Sequence, residues 1–270
     1  MMVAGGYNPR TALVLGGGGS RGAIAVGLYK ALVELGIRID LIVSSSIGAV
    51  NDALIAGGMP PNELEDGWRA IRTRDVVGSR LHFLRLLAGA SSAFSNQSLR
   101  ALLRTLLPVR SFSELGIPLA IVTTDLETGQ TVVLTEGDLI GAILASTALP
   151  GLFPPITWEG RRLVDGGLSN NVPIDLAIER GAERVIGMLC GCAKGLPARV
   201  SFITILGQSF SLALNARFRC DALMYQPRAK LHILEPCLGI NLELLDFDHA
   251  SSLIEPAYQY ALSELQRQLA

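Results

Sequence analysis

Three short stretches of this chain place anion-holding or reactive groups at the ends of apolar runs. The first is Gly16-Gly-Gly-Gly-Ser20-Arg21-Gly22, directly after Thr11–Leu15. Glycines let backbone N–H groups approach a ligand, and a helix N-terminus favours negative charge. The loop therefore suits a phosphate or a developing oxyanion. Gly17-x-Gly19-x-x-Gly22 also fits the dinucleotide fingerprint, which needs an acid at the end of the second strand. The nearest acid, Asp40, precedes that strand instead. A P-loop is excluded because no Gly-Lys-Ser/Thr follows. A tight glycine turn without any ligand is the third reading.

The second stretch is Ser44-Ser45-Ser46-Ile47-Gly48-Ala49. A nucleophile elbow sets a serine on a sharp strand-to-helix turn among small neighbours. Ser46 occupies the nucleophile position and Gly48 the second glycine, while Ser44 replaces the first glycine. The alternative is a serine-rich helix cap. The third stretch, Leu163-Val-Asp165-Gly166-Gly167, is by itself an ordinary Asp-Gly turn. It gains weight because a serine nucleophile needs a base and the chain has only 3 histidines. His82 lies in an apolar segment, His232 inside an expected strand and His249 in an acidic stretch. None sits at a strand end, although a triad is spatial rather than sequential and stays open.

The elements around these stretches must position them. Thr11–Leu15 and Leu41–Val43 read as short buried parallel strands. Ala23–Leu35 and Ile47–Ile55 read as helices, so the first 58 residues form a strand–helix–strand–helix unit with a right-handed crossover. Further helices are expected over Asn62–Ile71, Gln97–Leu107, Leu139–Ser146 and Leu253–Leu269. Further strands are expected over Leu119–Thr123, Thr131–Leu134, Arg162–Val164, Arg184–Leu189 and Leu231–Leu234. Glu127-Thr-Gly129-Gln reads as the turn joining two of them. With no repeat or linker, residues 11–270 read as one domain behind a short leader, residues 1–10.

Of the 270 residues, 49% are hydrophobic and 17% charged, which excludes disorder and implies a large core or a surface that meets lipid. The net charge of −1 provides no field for nucleic acid. Cys190, Cys192, Cys220 and Cys237 read as reduced and not as a metal cluster. No secretory signal and no apolar run of membrane-spanning length is seen, so a cytoplasmic protein is expected. Leu81–Leu87 with Phe94, and Phe202–Leu214, are the apolar segments that suit either core helices or the wall of an acyl groove.

Taken in order, the three stretches resemble the patatin-like phospholipase family. Gly17–Gly22 is similar to that family's oxyanion loop, Ser44–Ala49 to its elbow and Asp165–Gly167 to its catalytic Asp-Gly-Gly/Ala. Ala145–Pro150, Phe153–Pro155 and Asn170–Pro173 also resemble the family; Ser44 is the one departure within the three motifs. The resemblance implies an α/β fold, a three-layer α/β/α sandwich with a mostly parallel central sheet. It implies a Ser46–Asp165 dyad acting without cofactor or metal on lipid or fatty-acyl esters. The N–H groups of Gly17, Gly18 and Gly19 would form the oxyanion hole, and Arg21, Gly22, Gly48, Gly166 and Gly167 would support the site. Transient contact with a membrane surface is expected, and no nucleic-acid partner. The competing function is a catalytically degenerate module that holds an anion or a nucleotide on Gly17–Gly22.

Overall fold

The computed structural model describes residues 10–78, 90–190, 202–240 and 242–269. Leader residues 1–9, the apolar segment Leu81–Leu87 with His82, and Cys192 lie outside the described residues. Arg10, assigned to the leader, belongs to the fold. Its N–H donates to Glu183 Oε2 and its carbonyl accepts from the N–H groups of Glu183 and Arg184.

The chain opens with strand β1 (Thr11–Leu15), a 3₁₀ turn (Gly19–Ala23) and helix α1 (Ile24–Glu34). Strand β2 (Leu41–Ser45) and helix α2 (Ile47–Ala56) follow, then α3 (Pro61–Ala70), α4 (Thr73–Val77) and α5 (Gln97–Leu106). Next come β3 (Leu119–Asp125), β4 (Thr131–Leu134), α6 (Leu139–Ser146), β5 (Ile156–Trp158) and β6 (Arg161–Asp165). The last part holds α7 (Gly167–Asn170), α8 (Ile174–Glu179), β7 (Arg184–Met188), α9 (Phe202–Tyr225), β8 (Lys230–Leu234) and α10 (Ile254–Leu269). The long apolar runs were legible from their periodicity. The elements not anticipated are α4, β5, α7 and α8, each too short to establish a period of its own. Phe202–Leu214 is the first half of α9.

The strands form one mixed sheet in the order β5-β6-β3-β2-β1-β7-β8, with β4 also pairing β3. From β3 to β8 the pairings along this path are parallel, and at the β3–β6–β5 end they are antiparallel. Alternate residues of the central strands feed two separate apolar layers, as the two-residue period of a strand requires. Leu13, Leu15, Ile42 and Ile121 pack with α1, α2, α5, α6 and α10 on one face. Ala12, Val14, Val43 and Val122 pack with α8 and Phe218 of α9 on the other. The fold is therefore a three-layer α/β/α sandwich.

The register around β3 matters most for the site. Ile121 and Val122 pair with both β2 and β4, so those strands flank β3 on opposite sides. Thr123 and Thr124 pair with both β4 and β6, so β6 lies on the side of β2. Strands β2 and β6 thus approach each other end to end along one edge of β3. Ser45 faces Val122 and Asp165 faces the next residue, Thr123.

Cys190 is buried and free and Cys220 is exposed and free, whereas Cys237 is disulfide-bonded, which departs from the expectation of reduced cysteines throughout.

Candidate active site

Ser46 sits between the end of β2 and the first residue of α2 with φ 55 and ψ −129. A non-glycine residue held there stores about 1–3 kcal/mol of backbone strain. The surroundings hold it in place. The Ser46 N–H donates to Ser146 Oγ at 2.8 Å, and the Ser146 hydroxyl donates to the Val122 carbonyl at 2.6 Å. Gly48 lets α2 start this close to the sheet, because a Cβ there would lie 2.3 Å from the Leu15 carbonyl oxygen. Gly166 does the same for β6, since its Cβ would lie 2.0 Å from the Val122 carbonyl oxygen.

The side chains of the two strand ends meet. Ser46 Oγ donates to Asp165 Oδ2 at 2.6 Å, and the Gly167 N–H donates to Asp165 Oδ1 at 2.8 Å. Asp165 is 4% exposed. Burial raises its carboxyl from the ordinary carboxylate value to about 6, against the lowering effect of the Ser46 and Gly167 hydrogen bonds. A carboxylate with that pKa is a far stronger base than a free aspartate, yet remains mostly ionised at neutral pH.

The glycine loop lies beside Ser46. A Cβ on Gly17 would sit 2.9 Å from Ser46 Cβ and 3.4 Å from Ser46 Oγ. The three loop N–H groups are not equivalent. Gly17 N–H donates to Asn171 Oδ1 at 2.9 Å, while the N–H groups of Gly18 and Gly19 have no protein acceptor among the described residues. Gly19 has φ 58 and opens the 3₁₀ turn that leads into α1. Arg21 lies on this turn, with its Nε donating to the Gly18 carbonyl at 3.3 Å. The Gly22 carbonyl accepts from Asn51 Nδ2 at 2.9 Å, which ties the loop to α2. Cys190 packs on Gly18, and burial pushes its thiol up to about 12, so it stays protonated and unreactive at neutral pH.

An apolar cavity of about 110 Å³ is lined by Ser46 and Asp165 together with Ile47, Val50, Leu54, Trp68, Leu99 and Phe153. Phe94, expected at an acyl groove, packs at 6.1 Å from the Phe153 ring. Ser44 does not wall the cavity. It is fully buried on β2 beside Asp52 of α2, and the elbow stands with serine in that position. Neither Ser44 Oγ nor the two Asp52 oxygens completes a hydrogen bond of good geometry. Burial raises the Asp52 carboxyl well above the usual range, with the Ser44 hydroxyl opposing the shift.

The described histidines lie apart from this cluster. His232 Nδ1 meets Gln268 Oε1 at 3.1 Å on β8, and His249 Nδ1 meets Asp246 at 2.8 Å on the surface. Asp40 accepts from the Thr11 N–H at the opposite end of β1 from the glycine loop, out of reach of a ribose seated on that loop. Two residues of the site were not singled out in the sequence. Ser146 and Asn171 fall within Ala145–Pro150 and Asn170–Pro173, so the signal was there as motif, without a role.

The profile of the patatin-like phospholipase family matches residues 13–178. Patatin-like phospholipase domain-containing protein 7 of Rattus norvegicus is 36% identical over 188 residues, covering 67% of this chain and 13% of that protein. An uncharacterised NTE family protein of Mycobacterium bovis is 32% identical over 199 residues, covering 74% of this chain and 54% of that one. This chain therefore spans only a fraction of the length of such relatives. Among solved structures, VipD of Legionella pneumophila has a TM-score of 0.54 at 16% identity, covering 97% of this chain and 67% of VipD. Full-length ExoU of Pseudomonas aeruginosa, crystallised with SpcU, has a TM-score of 0.55 at 18% identity, covering 97% of this chain and 53% of that one. The shared profile spans the glycine loop, Ser46 and Asp165 together. The chain belongs to the patatin-like phospholipase family.

Proposed function

We propose that this chain hydrolyses fatty-acyl ester bonds of lipids, with Ser46 as nucleophile and Asp165 as base. The observation that carries the reading is the 2.6 Å hydrogen bond from Ser46 Oγ to Asp165 Oδ2 in the lining of an apolar cavity. In the first step the Ser46 hydroxyl proton passes to Asp165 as Oγ bonds to the ester carbonyl carbon. The carbonyl π electrons move onto oxygen, and the N–H groups of Gly18 and Gly19 receive that oxyanion. Each well-placed donor is worth about 3–4 kcal/mol to such a transition state. The tetrahedral species collapses, the ester C–O bond breaks, and Asp165 returns its proton to the departing alkoxide. Water then attacks the acyl–serine with Asp165 again taking the proton, and the acid leaves as Ser46 recovers its hydrogen.

The substrate class follows from the cavity wall. Aliphatic and aromatic side chains predominate in its lining, alongside Arg21, Thr147, Asp165 and Asn171, which matches an acyl chain joined to a polar ester. An acyl chain of that kind leaves a lipid aggregate to reach Ser46, so brief contact with a lipid surface belongs to the same reading. A fluorophosphonate probe tests the assignment. Covalent labelling of the parent, with labelling and acyl-ester turnover both lost in Ser46→Ala, is the expected result. A Ser46→Ala chain that still turns over ester would refute it.

A further inference from the structure

The segment that carries Asp165 also grips the glycine loop from the other side. Five residues beyond the base-bearing turn Asp165-Gly166, Asn171 is 6% exposed and borders the same cavity as Ser46. Its Oδ1 accepts the Gly17 N–H at 2.9 Å, a contact bridging 154 residues of sequence. That bond fixes the orientation of the amide, because a backbone N–H can be received only by the oxygen. The fit is close. A Cβ on Gly17 would lie 2.8 Å from Asn171 Oδ1 and 3.4 Å from Ser46 Oγ, so the amide and the serine both crowd the side of this glycine that a Cβ would occupy. A Cβ on Gly16 would lie 2.8 Å from the Asn171 carbonyl oxygen, so the backbone of Asn171 also abuts the loop.

Asn171 is itself braced. The neighbouring Asn170 Nδ2 donates to Asp175 Oδ1 at 2.8 Å. Arg217 of α9 donates to the Ser169 carbonyl and pairs with Asp175 at 3.7 Å and with Asp221 at 3.2 Å. The helix on the far face of the sheet thereby holds the Ser169–Asn171 turn against the glycine loop.

We propose that Asn171 is a positioning residue for the reaction. By occupying the Gly17 N–H it fixes the peptide planes that follow, so that the Gly18 and Gly19 N–H groups point at the oxyanion. The oxyanion hole then consists of two loop donors, with the third spent on a clamp. This inference rests on the ester-hydrolase reading, and its effect is on the oxyanion and not on the base.

The test uses the full chain with a soluble acyl ester and a trifluoromethyl ketone of matching acyl chain, which forms a tetrahedral adduct with serine. Asn171→Leu preserves the size and removes the acceptor. We expect kcat to fall about 100-fold with KM little changed, in line with the loss of oxyanion stabilisation. Affinity for the trifluoromethyl ketone should fall by a similar factor, while affinity for the corresponding plain hydrocarbon stays within about twofold. The acidic limb of the pH–rate profile should not move. Asn171→Asp keeps an acceptor for Gly17 N–H. It should retain the plateau rate within about tenfold while its added negative charge moves the acidic limb to higher pH. If Asn171→Leu fails to fold, the Asn171→Asp profile decides alone: a collapsed plateau with an unmoved limb overturns the proposal. An Asn171→Leu chain with unchanged kcat, or with KM alone raised, overturns it as well. A parent chain that neither labels at Ser46 nor cleaves ester refutes the hydrolase reading, and this inference with it.

Discussion

Ser46 and Asp165 stand at the facing ends of two strands that meet along one edge of β3, and their side chains close the gap with a 2.6 Å hydrogen bond. One strand, β3, acts as the ruler for both. It pairs in parallel with β2 up to Val122 and antiparallel with β6 from Thr123 onward. A change of one residue in either register would turn a side chain to the opposite face of the sheet. The contact is therefore set by sheet pairing and not by loop conformation, which is how a rigid scaffold holds reacting groups at a fixed separation.

If Asp165 is the base, as proposed, its raised pKa fixes the acidic limb of the activity profile. The proposed reaction uses the ionised form, and burial places the pKa at about 6. The expected kcat/KM rises with pH through about 6, levels above it, and is about tenfold below the plateau near pH 5. Asp165→Asn should lose at least about 1000-fold in turnover at all pH values. A limb near 4 would mean that Asp165 is more solvated during catalysis than its 4% exposure implies.

The same burial predicts a stability cost. The folded pKa of Asp165 lies above the ordinary carboxylate value, so its favourable contribution is complete below about pH 4 and is lost as pH rises through about 6. Near pH 7 the ionised group costs on the order of 2–3 kcal/mol relative to a neutral one. Asp165→Asn is expected to be more stable than the parent by about 1–3 kcal/mol at pH 7, with the difference shrinking towards pH 4. Thermal melts at the two pH values check both the sign and the trend.

Asp52 gives a related prediction without a catalytic role. It is fully buried on α2 with neither carboxyl oxygen completing a hydrogen bond of good geometry, and burial raises its pKa well above the usual carboxylate range. Its folded pKa also lies above its unfolded value, so it stabilises the fold at low pH and increasingly opposes it as pH rises. Asp52→Asn should therefore lose less stability than the parent between pH 4 and pH 8. Chemical denaturation at those two pH values is the measurement, and an equal loss in the two chains would contradict the raised carboxyl pKa at this site.

How far the sequence carried this picture depends on the length scale of each signal. Thr131–Leu134 and Leu139–Ser146 were legible to the residue, because each is a short apolar run between clear stops. The glycine loop, Ser46 and Asp165 stood out because each ends an apolar strand. What could not be read was the pairing: nothing in Leu163–Gly167 says that β6 runs antiparallel and abuts β2. The division of labour among Gly17, Gly18 and Gly19 was hidden for the same reason, since it is set by Asn171, 154 residues away. Ser44 posed the opposite problem. It looked like a defect in the elbow, but its side chain is buried beside Asp52 and leaves Ser46 in its left-handed turn.

Helix α2 both presents Ser46 at its N-terminus and walls the cavity with Ile47, Val50 and Leu54. These positions share one face of a helix, so they form a stripe leading away from Ser46. At 1.5 Å per residue, Leu54 lies about 12 Å from Ser46 along the helix and Val50 about 6 Å. An acyl chain bound in this cavity runs past Val50 before it reaches Leu54. Filling the cavity at Leu54 with tryptophan should spare short acyl esters and reduce kcat/KM for long ones by about 10-fold or more, since a blocked pocket expels several methylenes worth about 0.8 kcal/mol each. Val50→Trp should depress both. A series of p-nitrophenyl esters of increasing chain length measures this directly. If Leu54→Trp lowers every chain length equally, the acyl chain does not follow α2, and the cavity along this helix is core space and not a binding site.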